Sequence, residues 1–143
     1  MHFSGHIARK RFGQHWLKDV VVLEKIISAA DLQTEDRVLE VGPGRGVLTE
    51  RLLASKVAAV HAVELDKELV AGLRKRFGGQ PRFTLIDGDV LSVPLTLPNG
   101  VAANKVVANI PYNITGPLLE RLVGRLGKPV EEKYKLLVLL LQK

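Results

Sequence analysis

The chain has no cysteine, which excludes disulfides and thiolate chemistry and permits a reducing compartment. No apolar run is long enough to span a membrane; the longest, residues 136–141, has the length of a strand. Residues 1–7 lack the apolar core of a signal peptide, and no tract is low in complexity. These absences predict a cytoplasmic protein, or an organellar one from which a leader has been removed. Acids are also missing at the start: none precedes Asp19, while Arg9, Lys10, Arg11 and Lys18 fall in that segment. Residues 1–18 therefore read as a basic arm, with Phe12, Trp16 and Leu17 as apolar anchors. Together with a net charge of +6, the arm favours a polyanionic partner. His2, His6, His15 and His61 are scattered, which gives metal catalysis no support, and His61 has the setting of a satisfied core histidine.

What is present is one domain's worth of chain, 143 residues of which 46% are hydrophobic, enough to bury a core. It is arranged around Val38-Leu39-Glu40-Val41-Gly42-Pro43-Gly44-Arg45-Gly46. A short apolar run carries an acid, three glycines then alternate with other residues, and residues 47–55 read as a helix. Strand, glycine loop and helix form the entrance to a nucleotide-binding α/β sheet. The spacing is G-x-G-x-G with an acid two residues upstream, not the G-x-G-x-x-G of dinucleotide sites. A pyrophosphate is met by amides at a helix N-terminus. Glu40 beside the loop suits instead the cationic amino-acid end of S-adenosylmethionine. Gly42, Gly44 and Gly46 would let that ligand come close to the backbone.

Upstream of the loop, Asp19 is a candidate N-cap for a helix bearing Leu23, Ile26, Ile27 and Ala30. The spacing predicts strands over residues 37–41, 58–64, 82–86, 105–108 and 134–142. A helix over 67–77 is capped by Asp66 and stopped by Gly78-Gly79. Another, over 116–126, places Leu118, Leu119, Leu122 and Val123 on one face. Residues 93–104, punctuated by Pro94, Pro98 and Gly100, form a loop. Strands alternating with helices predict a Rossmann-like α/β fold with a doubly wound, mostly parallel sheet, since each parallel connection needs a crossover. With no repeat or linker, residues 19–143 form a single domain behind the arm.

Glu64 closes the second strand about twenty residues after the loop, where an acid usually meets a ribose. A carboxylate there can accept from both hydroxyls of a vicinal diol, and it repels a 2′-phosphate. Asp89, one strand over, is a candidate acceptor for an adenine amino group; Asp87 is its rival, and a plain turn is the alternative. The most informative segment is Asn109-Ile110-Pro111-Tyr112-Asn113. An exocyclic adenine nitrogen is a poor nucleophile because its lone pair is delocalised into the ring. The Asn109 side-chain oxygen and the Ile110 carbonyl could accept its two hydrogens and favour a pyramidal amine facing a sulfonium methyl. Pro111 would stiffen this loop, and Tyr112 offers a flat face for a flipped-out base.

Together these residues resemble the ribosomal RNA adenine N6,N6-dimethyltransferase family. The likeness runs from Arg9-Lys-Arg-Phe-Gly-Gln-His-Trp-Leu17 through the glycine loop, Glu64-Leu-Asp66 and Gly88-Asp89. It continues through Asn109-Ile-Pro-Tyr-Asn-Ile-Thr-Gly-Pro-Leu118 to Leu141-Gln-Lys143. It implies that S-adenosylmethionine contacts His15, Leu17, Gly42, Glu64, Asp89 and Asn109, and that Tyr112 stacks on the target adenine. The product would be N6,N6-dimethyladenosine in small-subunit ribosomal RNA, made during ribosome biogenesis. Arg9, Lys10, Arg11 and Phe12 would meet the RNA. Family members commonly carry Asn at the place of His15. The resemblance further implies more sheet, a second aromatic motif and a helical C-terminal domain beyond Lys143. Residues 1–143, ending at the fifth strand, are then expected to be inactive alone and to self-associate through an uncovered last strand. Three rival readings are the large-subunit, antibiotic-resistance branch, a non-catalytic nucleic-acid-binding relative, and a nicotinamide-dependent dehydrogenase.

Overall fold

A computed structural model describes residues 20–96, 100–125, 128–129 and 134–142. Helix α1 (Val20–Ala30) buries Leu23, Ile26 and Ala30, the stripe that its three-and-four spacing predicts. Asp19, its expected cap, lies outside the described residues, as does the basic arm. Strand β1 (Arg37–Val41) leads through the glycine loop into helix α2 (Val47–Ala54). Strand β2 (Ala59–Glu64) is buried at all six positions. Helix α3 (Lys67–Phe77) starts at Asp66, whose Oδ1 accepts from the N–H groups of Glu68 at 2.9 Å and Leu69 at 3.2 Å.

Strand β3 (Phe83–Asp87) begins one residue later than its sequence predicts. Arg82 is drawn off instead, donating to the carbonyls of Leu53, Ser55 and Val57 at the end of α2. Strand β4 (Lys105–Pro111) is longer than expected, and residues 109–111 are strand rather than loop. Strand β7 (Leu136–Gln142) explains why: its apolar run pairs with β4 over the whole length, from Lys105↔Leu136 to Pro111↔Gln142. Pro111 is the last residue of the strand, where its missing N–H interrupts little. One 3-10 turn (Tyr112–Ile114) leads into helix α4 (Thr115–Val123). The helix stops short of residue 126 because Gly124, at φ 86°, turns the chain away. The short strands β5 (Gly124–Arg125) and β6 (Lys128–Pro129) then pair antiparallel.

The main sheet has the order β3-β2-β1-β4-β7, and each neighbouring pair is parallel. From β1 the chain steps outward to β2 and β3, then crosses to β4 on the other side of β1. That reversal puts a crevice between the C-terminal ends of β1 and β4, where open α/β sheets receive ligands. Alternate strand residues serve two cores. Val38, Val60 and Val107 pack with Leu23, Leu52, Leu73 and Phe77 of α1, α2 and α3. Leu39, Val63, Val106 and Ile110 pack with Leu118 and Leu122 of α4 and with Val90. Each fully buried leucine contributes about 1.5–3 kcal/mol, so both faces hold the strand ends in place.

Candidate functional site

The glycine loop fills the crevice. Gly42 has φ 72°, and a Cβ built there would lie 2.4 Å from the Asn109 carbonyl oxygen. A side chain at Gly42 would thus push β1 and β4 apart at the switch point. Its N–H also donates to the Val63 carbonyl at 3.1 Å, tying the loop to β2. Gly44, at φ 60°, differs, since nothing lies within 4 Å of an added Cβ. Its backbone therefore borders open space. Gly46 has a packing role: a Cβ would meet the Phe77 ring at 2.5 Å.

Two carboxylates stand under this loop. Glu40 is 2% exposed, and the Thr49 hydroxyl of α2 donates to its Oε1 at 2.6 Å. Burial raises its pKa to about 7; the Thr49 bond pulls the other way, and the charge of Glu64 adds to the rise. Glu64 is 8% exposed. Its Oε1 accepts from the Gly44 N–H at 3.2 Å and its Oε2 from the Asp66 N–H at 3.0 Å. Burial again raises the pKa, against the opposing effect of those backbone donors. An ionised carboxylate has about four acceptor positions, so Glu64 retains acceptor capacity beyond its backbone donors. Asp66 is the helix cap that the sequence predicts.

At the end of β3, Asp87 pairs with Lys67 at 3.0 Å, which engages the rival acid. Asp89 is exposed, with Oδ1 accepting from the Leu91 N–H at 2.9 Å. Asn109 is half-buried on β4, and the Ile110 side chain is 1% exposed in the second core, so Ile110 can offer only its backbone. Pro111 ends the strand, and Tyr112 opens the turn that follows, its side chain lying outside the description. His15, Leu17, Arg9, Lys10, Arg11 and Phe12 also lie outside the described residues. Beside the Asn109 segment a groove of about 690 Å³ is lined by Leu91, Gly116, Pro117, Glu120 and Arg121. The crevice therefore gathers Gly42, Gly44, Glu64, Asp89 and Asn109 from four strand ends, with Glu40 directly beneath.

Some residues were not singled out by sequence. Thr49 holds Glu40 from within an otherwise apolar helix face, and a polar residue on such a face was the available signal. At the opposite edge of the sheet Lys105, 7% exposed, lies 2.7 Å from Asp36 and donates to the carbonyls of Ala30 and Asp31. Asn104 donates to Asp36 at 2.9 Å. His61 is buried as expected but not satisfied, since its Nδ1 has no partner among the described residues. Burial and the nearby Arg37 charge lower its pKa, which keeps the ring neutral.

A glycine loop at the β1–β4 switch, with acids at the ends of β2 and β3, defines a Rossmann-like unit of the class I methyltransferase type. A family profile for ribosomal RNA adenine dimethylase matches residues 5–143, and the chain belongs to that family. It is 71% identical over 143 residues to the ribosomal RNA small subunit methyltransferase A of a Synechococcus strain, covering 51% of that protein. It is 73% identical to the protein of the same name from Parasynechococcus marenigrum, covering 47% of it. The chain thus spans about half the length of the curated relatives it matches. Among solved structures it is similar to a dimethyladenosine transferase from Plasmodium falciparum. That match has 30% identity and a TM-score of 0.72, over 87% of this chain and 42% of the other. The 23S rRNA methyltransferase ErmE is also similar, at 30% identity and a TM-score of 0.62, over 73% of this chain and 41% of that one.

Proposed function

We propose that the chain carries the cofactor-binding and adenine-presenting elements of an S-adenosylmethionine-dependent methyltransferase. Its target is adenine N6 in small-subunit ribosomal RNA, and its product is N6,N6-dimethyladenosine. The observation that carries this reading is the contact between Gly42 and Asn109. It joins the glycine loop to the Asn-Ile-Pro-Tyr segment across the switch point, so cofactor and target would share one crevice. The identity of 71–73% to small-subunit relatives favours that substrate over the large subunit.

The residues present fit the cofactor. Gly44 borders open space, Glu64 has spare acceptor capacity, and Glu40 and Glu64 form no ion pair among the described residues. Glu64 would hold the ribose hydroxyls, Asp89 the adenine amino group, and the loop with Glu40 the amino-acid end. When bound, S-adenosylmethionine supplies an electrophilic methyl group on sulfur. The chain's part is then positional and electrostatic. Asn109 and the Ile110 carbonyl accept hydrogen bonds from the target amine and free its lone pair for attack. Tyr112 supplies the stacking face, and Arg9, Lys10 and Arg11, with Phe12 and with His15 and Leu17 towards the cofactor, bring the RNA over the pocket. No matched general base is needed before attack, because the amine becomes acidic only after alkylation.

Calorimetry on the chain with S-adenosylmethionine against NAD tests the cofactor. Saturable binding of the first alone is expected, and preference for NAD would overturn the reading. For the reaction, methyl transfer to under-methylated small subunits is expected from a protein of the relatives' full length carrying this sequence. Binding without transfer there would favour a non-catalytic relative. Apolar β7, half-buried over residues 136–140, lies at the sheet edge among the described residues, and it favours self-association of the 143-residue chain. Light scattering should give a mass above the monomer.

A further inference from the structure

Arg121, on the second turn of α4, reaches across to the turn that follows β3. Its Nη1 donates to the Val90 carbonyl and its Nη2 to the Val93 carbonyl, the latter at 2.6 Å. That turn is the one Asp89 begins. The Asp89 carbonyl accepts from the N–H groups of Ser92 and Val93, both at 2.9 Å, and its carboxylate accepts from Leu91 at 2.9 Å. Val90, Leu91 and Val93 of the turn pack into the core that holds Leu118 and Leu122 of α4, and the fork of Arg121 adds a polar tie from the helix to the turn's backbone. The helix bearing Arg121 begins directly after the Asn109 segment and its 3-10 turn. One guanidinium therefore links the acid assigned to the cofactor's adenine with the element assigned to the target base. It also lines the groove between Leu91 and the first turns of α4.

We propose that Arg121 is a positioning residue that sets the place of Asp89 and so the recognition of the cofactor's adenine amino group. This rests on the reading of Asp89 given above. The planar guanidinium donates in two fixed directions, which matches two carbonyls three residues apart in a turn. An ammonium on a flexible stem cannot hold both in that geometry. Without the fork the turn still closes on its own hydrogen bonds and stays seated on Val90, but its backbone loses the directional hold that fixes how Asp89 faces the ends of β1 and β4.

The test compares S-adenosylhomocysteine with S-inosylhomocysteine, in which a ring carbonyl replaces the amino group that Asp89 would accept from. Binding to the chain is measured by calorimetry, with thermal melting recorded alongside. The unsubstituted chain should prefer the adenine form by about tenfold or more, as expected for losing a hydrogen bond to a charged group. In Arg121→Ala that preference should shrink to about threefold or less, mainly through weaker binding of the adenine form. Arg121→Lys keeps charge and stem and should behave similarly; it decides the matter if Arg121→Ala fails to fold. Full discrimination in folded Arg121 variants would reduce Arg121 to a structural brace and overturn the proposal. No discrimination in the unsubstituted chain would instead remove Asp89 from the adenine, and the proposal with it.

Discussion

At the N-terminal edge of the sheet Asp36 lies 2.7 Å from the Lys105 ammonium, whereas Glu40 and Glu64 at the C-terminal edge form no ion pair among the described residues. All three acids are buried. Burial pushes Asp36 upward, but the Lys105, Asn104 and Gln33 donors outweigh it and hold its pKa below the ordinary value. At the other edge burial wins, and Glu40 rises to about 7. The first edge completes its own charge balance and fastens α1 to β1 and β4. Among the described residues the second has no cation paired with its acids, and it lies beside a loop whose Gly44 borders open space. One edge is built for stability. The other is built to be completed by a cationic ligand.

The sharpest way to break this contrast is at the closed edge. Lys105→Met leaves Asp36 buried without its cation and should cost about 3–5 kcal/mol. Urea unfolding at pH 7 measures it, and a loss below about 1 kcal/mol would show that the pair is not integral to the fold. Adding Asp36→Asn to this variant should restore part of the loss.

The open edge should answer to pH. Folding raises Glu40 from an ordinary value of 4.5 to about 7. Below the lower value both states hold the proton, and the contribution is fully present. As pH rises through the window the unfolded carboxyl ionises first, so stability falls until the folded group has also ionised. The expected decline is on the order of 3 kcal/mol between those limits. Glu40→Gln should flatten that part of the curve in denaturant titrations across pH. Asp36, with its lowered pKa, contributes the opposite sign and loses stability as pH falls.

For the ligand itself, Glu64→Ala should weaken S-adenosylmethionine binding by about 1–3 kcal/mol in a protein that still melts cooperatively. Unchanged calorimetric affinity would remove Glu64 from the ribose. The smallest effect belongs to Gly44→Ala. With no neighbour to strike, it should cost about 1–2 kcal/mol of stability for its left-handed backbone. Cofactor affinity should fall as well, and melting and calorimetry on one sample would separate the two.

Much of this contrast is legible along the chain, though unevenly. The strand–loop–helix at residues 38–53, the cap at Asp66 and the acids closing β2 and the β3 turn follow from local chemistry, because period, capping and turn residues act within a few positions. The extension of β4 through Pro111 is not local, since it depends on the apolar run of β7 some thirty residues later. Gly42 shows the limit best. Its sequence context points to ligand approach, while the structure shows its Cβ position blocked by the backbone of Asn109.

The sequence by itself determined the fold class, the parallel order implied by alternating strands and helices, and the residue types that a methyl-transfer site would use. Those properties reside in periodicity and in short motifs. Tertiary structure alone decided which buried acids are paired. Asp36 meets Lys105 from 69 positions away, while Thr49 reaches Glu40 only because α2 folds back onto β1. It also decided that Arg121 holds the turn begun by Asp89. Charge balance in a low-dielectric interior depends on distances across the fold, and those are set only when the strands have been laid side by side.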